Sequence, residues 1–132
     1  MHAFRAAIEA GDLDAAEALL AEDVVFSSPV VFKPSEGRAV TAAILRAVFQ
    51  VFQDFRYQTE LASADGDDHA LVFTARVGDR ALTGCDFLHL DADGRIDRFM
   101  VMVRPLSAAE ALAEAMGARY EQIVRDAEAR TA

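Results

Sequence analysis

A single cysteine, Cys85, is all the chain has. An intramolecular disulfide is therefore excluded, and a reducing cytoplasm is the expected compartment. No apolar run approaches the roughly 20 residues that a membrane-spanning helix needs. The opening stretch "MHAFRAAIEAGD" has apolar residues at helical spacing in place of the continuous apolar core of a secretory signal. Basic residues are few and scattered: 13 Lys and Arg face 22 Asp and Glu, for a formal charge of −9. The electrostatic footprint of a nucleic-acid binder is missing. No set of His, Cys, Asp and Glu has zinc-like spacing. Asp91, Asp93 and Asp97 in "DADGRID" lack the flanking helices and terminal Glu of a calcium loop, so a hairpin turn is expected there. No metal or cofactor is implied.

What the chain does have is apolar residues, 53% of its 132, including nine Phe. That is enough for one globular domain spanning 1–132, without internal repeat or linker. Ala3, Phe4, Ala7 and Ile8 recur at helical spacing up to Gly11, placed to end a first helix. Asp12 is a fitting N-cap for a second helix in "LDAAEALLA", with Leu13, Ala16, Leu19 and Leu20 inward. "DVVFSSPVVF" is strand-like, but Pro29 lacks a ladder donor, so the strand should be short, bulged or at an edge. From Arg38 to Gln53, Val40, Ile44, Leu45, Val48, Phe49 and Phe52 keep a 3.6-residue period.

The period then drops to two in four runs separated by "DGDD", "GD" and "DADG", which predicts an antiparallel meander. After Pro105, Ser107 to Glu110 matches a capping box, and a stripe from Ala109 to Val124 predicts one closing helix. Helices followed by a meander indicate an α+β domain with helices packed against one face of the sheet.

Within the third run, "ALTGCDFLHL", Asp86 stands among apolar neighbours, where an ionised carboxylate is costly unless paired or neutralised. Alternation puts Leu82, Gly84, Asp86, Leu88 and Leu90 on one face, with Thr83, Cys85, Phe87 and His89 on the other. Asp86 then has two readings: a functional acid, or a structural one held by an ion pair to Arg76 on the neighbouring strand or by backbone hydrogen bonds. His89 falls on the opposite face, His2 and His69 lie near a terminus and a turn, and Cys85 reads as a small buried hydrophobe.

Three phrases, "AGDLDAAEALLAEDVVFSSP", "EGRAVTAAILRAVF" and "GCDFLHLDADGRID", in this order and spacing, resemble the nuclear transport factor 2-like superfamily. That group includes ketosteroid isomerases, SnoaL-like polyketide cyclases and limonene epoxide hydrolases. The resemblance covers nearly the whole chain. It implies a cone-shaped, strongly curved and mostly antiparallel sheet wrapped by the N-terminal helices, with a C-terminal helix, a hollow apolar interior and a homodimer.

Aligned on ketosteroid isomerase, Asp86 takes the place of that enzyme's oxyanion-hole acid, a carboxylic acid kept neutral by its apolar site so that it can donate a hydrogen bond. The general-base aspartate becomes Ser28 and the oxyanion tyrosine becomes Phe4. A serine is no base without an activator, and a positioned base is worth roughly 10²–10⁴-fold in rate. No appreciable steroid-isomerase activity is therefore expected. Aligned on limonene epoxide hydrolases, Arg76 matches the arginine, but Gly78 and Val101 stand near the two aspartate positions.

The resemblance further implies an apolar pocket formed by Phe4, Phe26, Ser28, Phe52, Phe55, Tyr57, Phe99, Val101 and Val103. Tyr57 and Arg76 would be orienting groups in it. The expected role is binding of a small hydrophobic metabolite, with isomerase- or cyclase-type proton transfer centred on Asp86 if any reaction runs. Two alternatives stand beside it: a non-catalytic ligand-binding or dimerisation module with its interior filled by Phe, and epoxide hydrolase-like activation of water.

Overall fold

A computed structural model describes residues 2–131. Helix α1 (Ala3–Glu9) begins at His2, whose Nδ1 accepts from Phe4 N–H. It ends before Gly11, which takes φ 70°, a conformation that costs glycine nothing. Asp12 caps α2 (Leu13–Ala18) as expected, its side chain accepting from Ala15 N–H at 3.0 Å. The expected helix is shortened at its end. Leu20 opens β1 (Leu20–Ser27) because its backbone pairs with Ile96, and Ile96 N–H donates to Leu19 O.

Pro29 does lie outside the ladder. β1 stops at Ser27, and an irregular segment leads to the two-residue β2 (Ser35–Glu36). Helix α3 (Arg38–Val51) follows, and Phe52 turns extended as β3 (Gln53–Ala62) begins. The meander continues through β4 (Asp68–Val77), β5 (Arg80–Leu90) and β6 (Ile96–Arg104). Gly66, Gly78 and Gly94 supply the positive φ of its three turns.

The six strands lie in the order β2-β1-β6-β5-β4-β3, antiparallel except where β1 runs parallel to β6. No helix among the described residues is long and apolar enough to cross a membrane.

The expected closing helix is two helices, α4 (Leu106–Gly117) and α5 (Tyr120–Thr131). The capping box is also corrected. Pro105 is the N-cap, and its carbonyl accepts from Ala108 and Ala109 N–H, so Ser107 is already inside the helix and makes no capping bond. α5 packs along α3, and α4 lies against β5 and β6. The core between sheet and helices centres on Phe4, Leu20, Val24, Leu71, Phe73, Leu88, Ile96 and Phe99, all fully buried. Burying a side chain of this size stabilises by roughly 1.5–3 kcal/mol relative to leaving it exposed.

Candidate functional site

Strand register decides what Asp86 sees. On β5 the buried series is Leu82, Gly84, Asp86 and Leu88; on β4 it is Leu71, Phe73, Ala75 and Val77. Asp86 stands opposite Leu71 on one side and Val101 of β6 on the other. Gly84 stands opposite Phe73, whose ring occupies the space where a Cβ would be. The aromatic side chains of Phe49, Phe52, Phe55, Phe73 and Tyr57 pack edge-on, tilted or, for Phe52 and Phe55, stacked around that point, with centroids between 4.8 and 6.3 Å apart. Such pairs contribute roughly 0.5–1.5 kcal/mol each beyond area burial and fix ring orientation.

Between the sheet, α3 and the last two helices lies an open cavity of about 700 Å³. The many Phe side chains line it without filling it. Phe4, Phe26, Ser28, Phe52, Phe55, Phe99 and Val101 all border it, together with Asp86. Two expected residues do not. Val103 packs against the core one register step farther on, beside Gly84, and Tyr57 sits behind Asp86. Sequence reasoning missed the opposite wall. Ile44, Val48 and Phe49 of α3 were part of the visible helical stripe, and Met116, Ile123 and Val124 of the final stripe, but the periods did not say that these two stripes face one space.

Asp86 is 5% exposed, and its carboxylate Oδ2 accepts from the Tyr57 hydroxyl at 3.1 Å. Burial pushes its pKa up to about 7, against a smaller downward pull from the Tyr57 hydrogen bond. Burial, and then the charge of Asp86, likewise raises the Tyr57 hydroxyl, so it remains a donor. The Arg5 guanidinium lies 5.7 Å from the Tyr57 ring centroid and is itself held by Glu9 at 2.8 Å, tying α1 to the back of the site. The result is a carboxyl near its midpoint at neutral pH, oriented from behind and adjoining an apolar space. It can give a hydrogen bond when protonated or take a proton when ionised.

Arg76 has none of its expected roles, as ion-pair partner of Asp86, epoxide hydrolase-like arginine or orienting group in the cavity. It alternates to the outer face of β4, where its Nη2 meets Asp54 Oδ2 at 2.7 Å and its Nη1 donates to Gly78 O. Asp54 reaches it from a bulged stretch of β3, with a left-handed φ of 53°. An Arg76–Asp86 ion pair is thereby excluded, and the epoxide hydrolase alignment loses its arginine from the cavity.

Phe4 lies at the base of the cavity, edge-on to Phe99 at 5.2 Å. Ser28 borders the cavity, with its Oγ accepting from Val30 N–H at 3.1 Å, and among the described residues no base is hydrogen-bonded to it. His89 is on the other sheet face, paired with Asp97 at 2.6 Å, and the thiol of Cys85 is pushed up chiefly by burial. No three His, Cys, Asp or Glu residues cluster as a metal site among the described residues.

Residues 1–99 match the SnoaL-like domain family. Among solved structures the chain is similar to a steroid delta-isomerase from Pseudomonas aeruginosa, with 44% identity over 95% of this chain and 97% of that one and a TM-score of 0.82. It is also similar to a protein with a cystatin-like fold from Silicibacter pomeroyi, with 38% identity, 98% and 91% coverage and a TM-score of 0.87. A polyketide cyclase-like protein from Pseudomonas putida shares the fold at 24% identity, 80% and 89% coverage and a TM-score of 0.64. No curated protein sequence matches the chain.

Proposed function

Because the chain belongs to the SnoaL-like domain family, with the nuclear transport factor 2-like fold, we propose that it binds a small hydrophobic carbonyl compound in the cavity between sheet and helices. Asp86 is its main polar contact. The observation that carries this reading is the Tyr57–Asp86 pair bordering an otherwise mostly apolar space of about 700 Å³. That volume lies within the roughly 300–1,000 Å³ of ordinary small-molecule sites.

The carbonyl oxygen accepts from protonated Asp86, and the apolar body lies against Phe26, Phe52, Phe55, Phe99 and Val101. Where a reaction follows, it is proton transfer of the isomerase or cyclase type without a cofactor, with Asp86 stabilising a developing oxyanion or, when ionised, acting as base. These two roles have opposite pH dependence around a midpoint near 7. Tyr57 acts through Asp86 by fixing its orientation.

The Pseudomonas aeruginosa relative is a steroid delta-isomerase, but Ser28 and Phe4 stand where the resemblance to ketosteroid isomerase implies a base and a tyrosine. Purified protein should therefore leave a Δ5-3-ketosteroid essentially unconverted, and brisk conversion would refute this part of the reading. Binding itself is tested by displacing an environment-sensitive dye with cyclic ketones. Ketones should compete better below pH 7 than above it, and Asp86→Asn should abolish that pH dependence. Failure of every ketone to compete would leave the non-catalytic dimerisation module as the better account. We also propose a homodimer through the outer sheet face, where Phe87, Met100 and Met102 stand exposed; sedimentation at micromolar concentration tests it.

A further inference from the structure

We infer that α5 is a hinged jaw of the cavity: it pivots at residues 117–119, is latched at its far end by Arg130 on Glu17, and opens as a unit to admit and release the occupant while the rest of the domain stays folded. The entrance role rests on the proposed binding in the cavity; the opening itself does not.

α5 is held by little apolar burial. It packs on α3, and Ile123 alone is buried among its described residues. Ile123 joins Ala43 and Ala47 of α3 in a small cluster separate from the main core, edged by Ile44, Met116 and Ala127. An element with so few buried apolar contacts opens at a lower free energy than core strands do. The chain also supplies a pivot. α4 ends at Gly117 and α5 begins at Tyr120, and a Cβ on Gly117 would meet nothing within 4 Å, so the turn is free to bend.

The far end is held by charge. Arg130 Nη1 meets Glu17 Oε1 of α2 at 2.7 Å, and Arg46 Nη2 of α3 meets the same oxygen at 3.2 Å. These three side chains are 23–26% exposed, shielded in part yet still within reach of salt. Between pivot and latch, Ile123, Val124 and Ala127 border the cavity. Its exposed lining includes Val31 and Lys33 of the segment after β1, and Tyr120 and Glu128 of α5. The mouth therefore lies between that segment and α5, and movement of α5 sets its width.

Hydrogen exchange read by mass spectrometry tests the opening, and stopped-flow binding of the neutral dye Nile red tests the entrance. In the free protein the amides of α5 should exchange together, about tenfold or more faster than those of β5, as a sub-global opening requires. Arg130→Gln should speed α5 exchange by up to about fivefold, the upper worth of such an ion pair, with β5 unchanged. It should raise the association and dissociation rates of the dye by the same factor and leave Kd unchanged, because a wider mouth serves both directions. Salt at 1 M should bring wild-type rates toward those of the variant. Arg125→Gln, the same charge change at an exposed position of α5, should alter none of these. A latch that only stabilised the fold would lower Tm without moving the two rates together. If α5 is as protected as β5, or if dye rates stay fixed while α5 exchange quickens, the jaw is wrong and the binding reading stands. If neither Nile red nor any ketone binds, the binding reading fails and the entrance role falls with it.

Discussion

Replacing Gly84 by alanine should damage both stability and the site, although the change adds one methyl group. A Cβ at this position would lie 2.3, 2.7 and 2.9 Å from three carbons of the Phe73 ring. Ordinary carbon–carbon contacts lie at roughly 3.5–4.0 Å, so the ring must retreat by more than about 1 Å. Retreat is blocked by Phe55 at 4.8 Å, Phe52 at 5.6 Å and Tyr57 at 6.3 Å between centroids, and Phe73 is only 1% exposed. Overpacking of this kind costs about 1–3 kcal/mol, which for a domain of this size lowers Tm by roughly 3–10 °C. Thermal and urea denaturation followed by circular dichroism would measure it.

The clash also has a partner-specific signature. Phe73→Leu alone opens a cavity and destabilises, but in the Gly84→Ala background it relieves the clash. The double variant should therefore be more stable than the sum of the single effects by about 1 kcal/mol. A Gly84→Ala protein within about 0.5 kcal/mol of wild type, an ordinary surface-substitution effect, would refute the close approach of ring and backbone.

Asp86 should also set a pH dependence of stability. Its folded value near 7 lies above the ordinary 3.8, so its contribution is full below about pH 4 and is lost as pH rises to 7, by about 4 kcal/mol in all. Urea titrations across that range should show this loss in wild type relative to Asp86→Asn; a constant difference between the two proteins would count against it. Tyr57→Phe removes the hydrogen bond that favours the ionised carboxylate, so the Asp86 midpoint should move further up, as read by NMR titration, while an unchanged or lowered midpoint would contradict the pairing. Arg76→Ala breaks an exposed pair with Asp54 and should cost less than about 1 kcal/mol, leaving ketone displacement unchanged. A loss of displacement would return Arg76 to the site.

The meander and the inward face of β5 were legible because period-two alternation and glycine turns are local signals, and a half-buried sheet leaves one choice of register. The split between α4 and α5 was not, because the apolar stripe continues from Met116 to Ile123 across the break, and periodicity does not register a bend. Proline chemistry misplaced the start of α4: Pro105 lacks a donor but offers its carbonyl to Ala108 and Ala109, so the helix opens before Ser107 can cap it.

At the site, composition made Asp86 conspicuous, yet its partner could not be read. Arg76 was the nearest charge by strand counting, but an even-odd difference sends it to the outer face. Tyr57 lies two strands from Asp86 in the sheet. Tyr57 pairs with Phe73 and Phe73 with Gly84, so its hydroxyl reaches across β4 to Asp86, a contact between non-adjacent strands that no local period encodes.

The most direct test of Asp86 as the polar contact of the cavity follows its carboxyl carbon by ¹³C NMR from pH 3 to 9, with Asp86→Asn identifying the resonance. A midpoint near 7, moving when a ketone occupies the cavity, is the expected result. A midpoint near the ordinary 3.8, indifferent to ketone, would contradict it and leave Asp86 a structural residue.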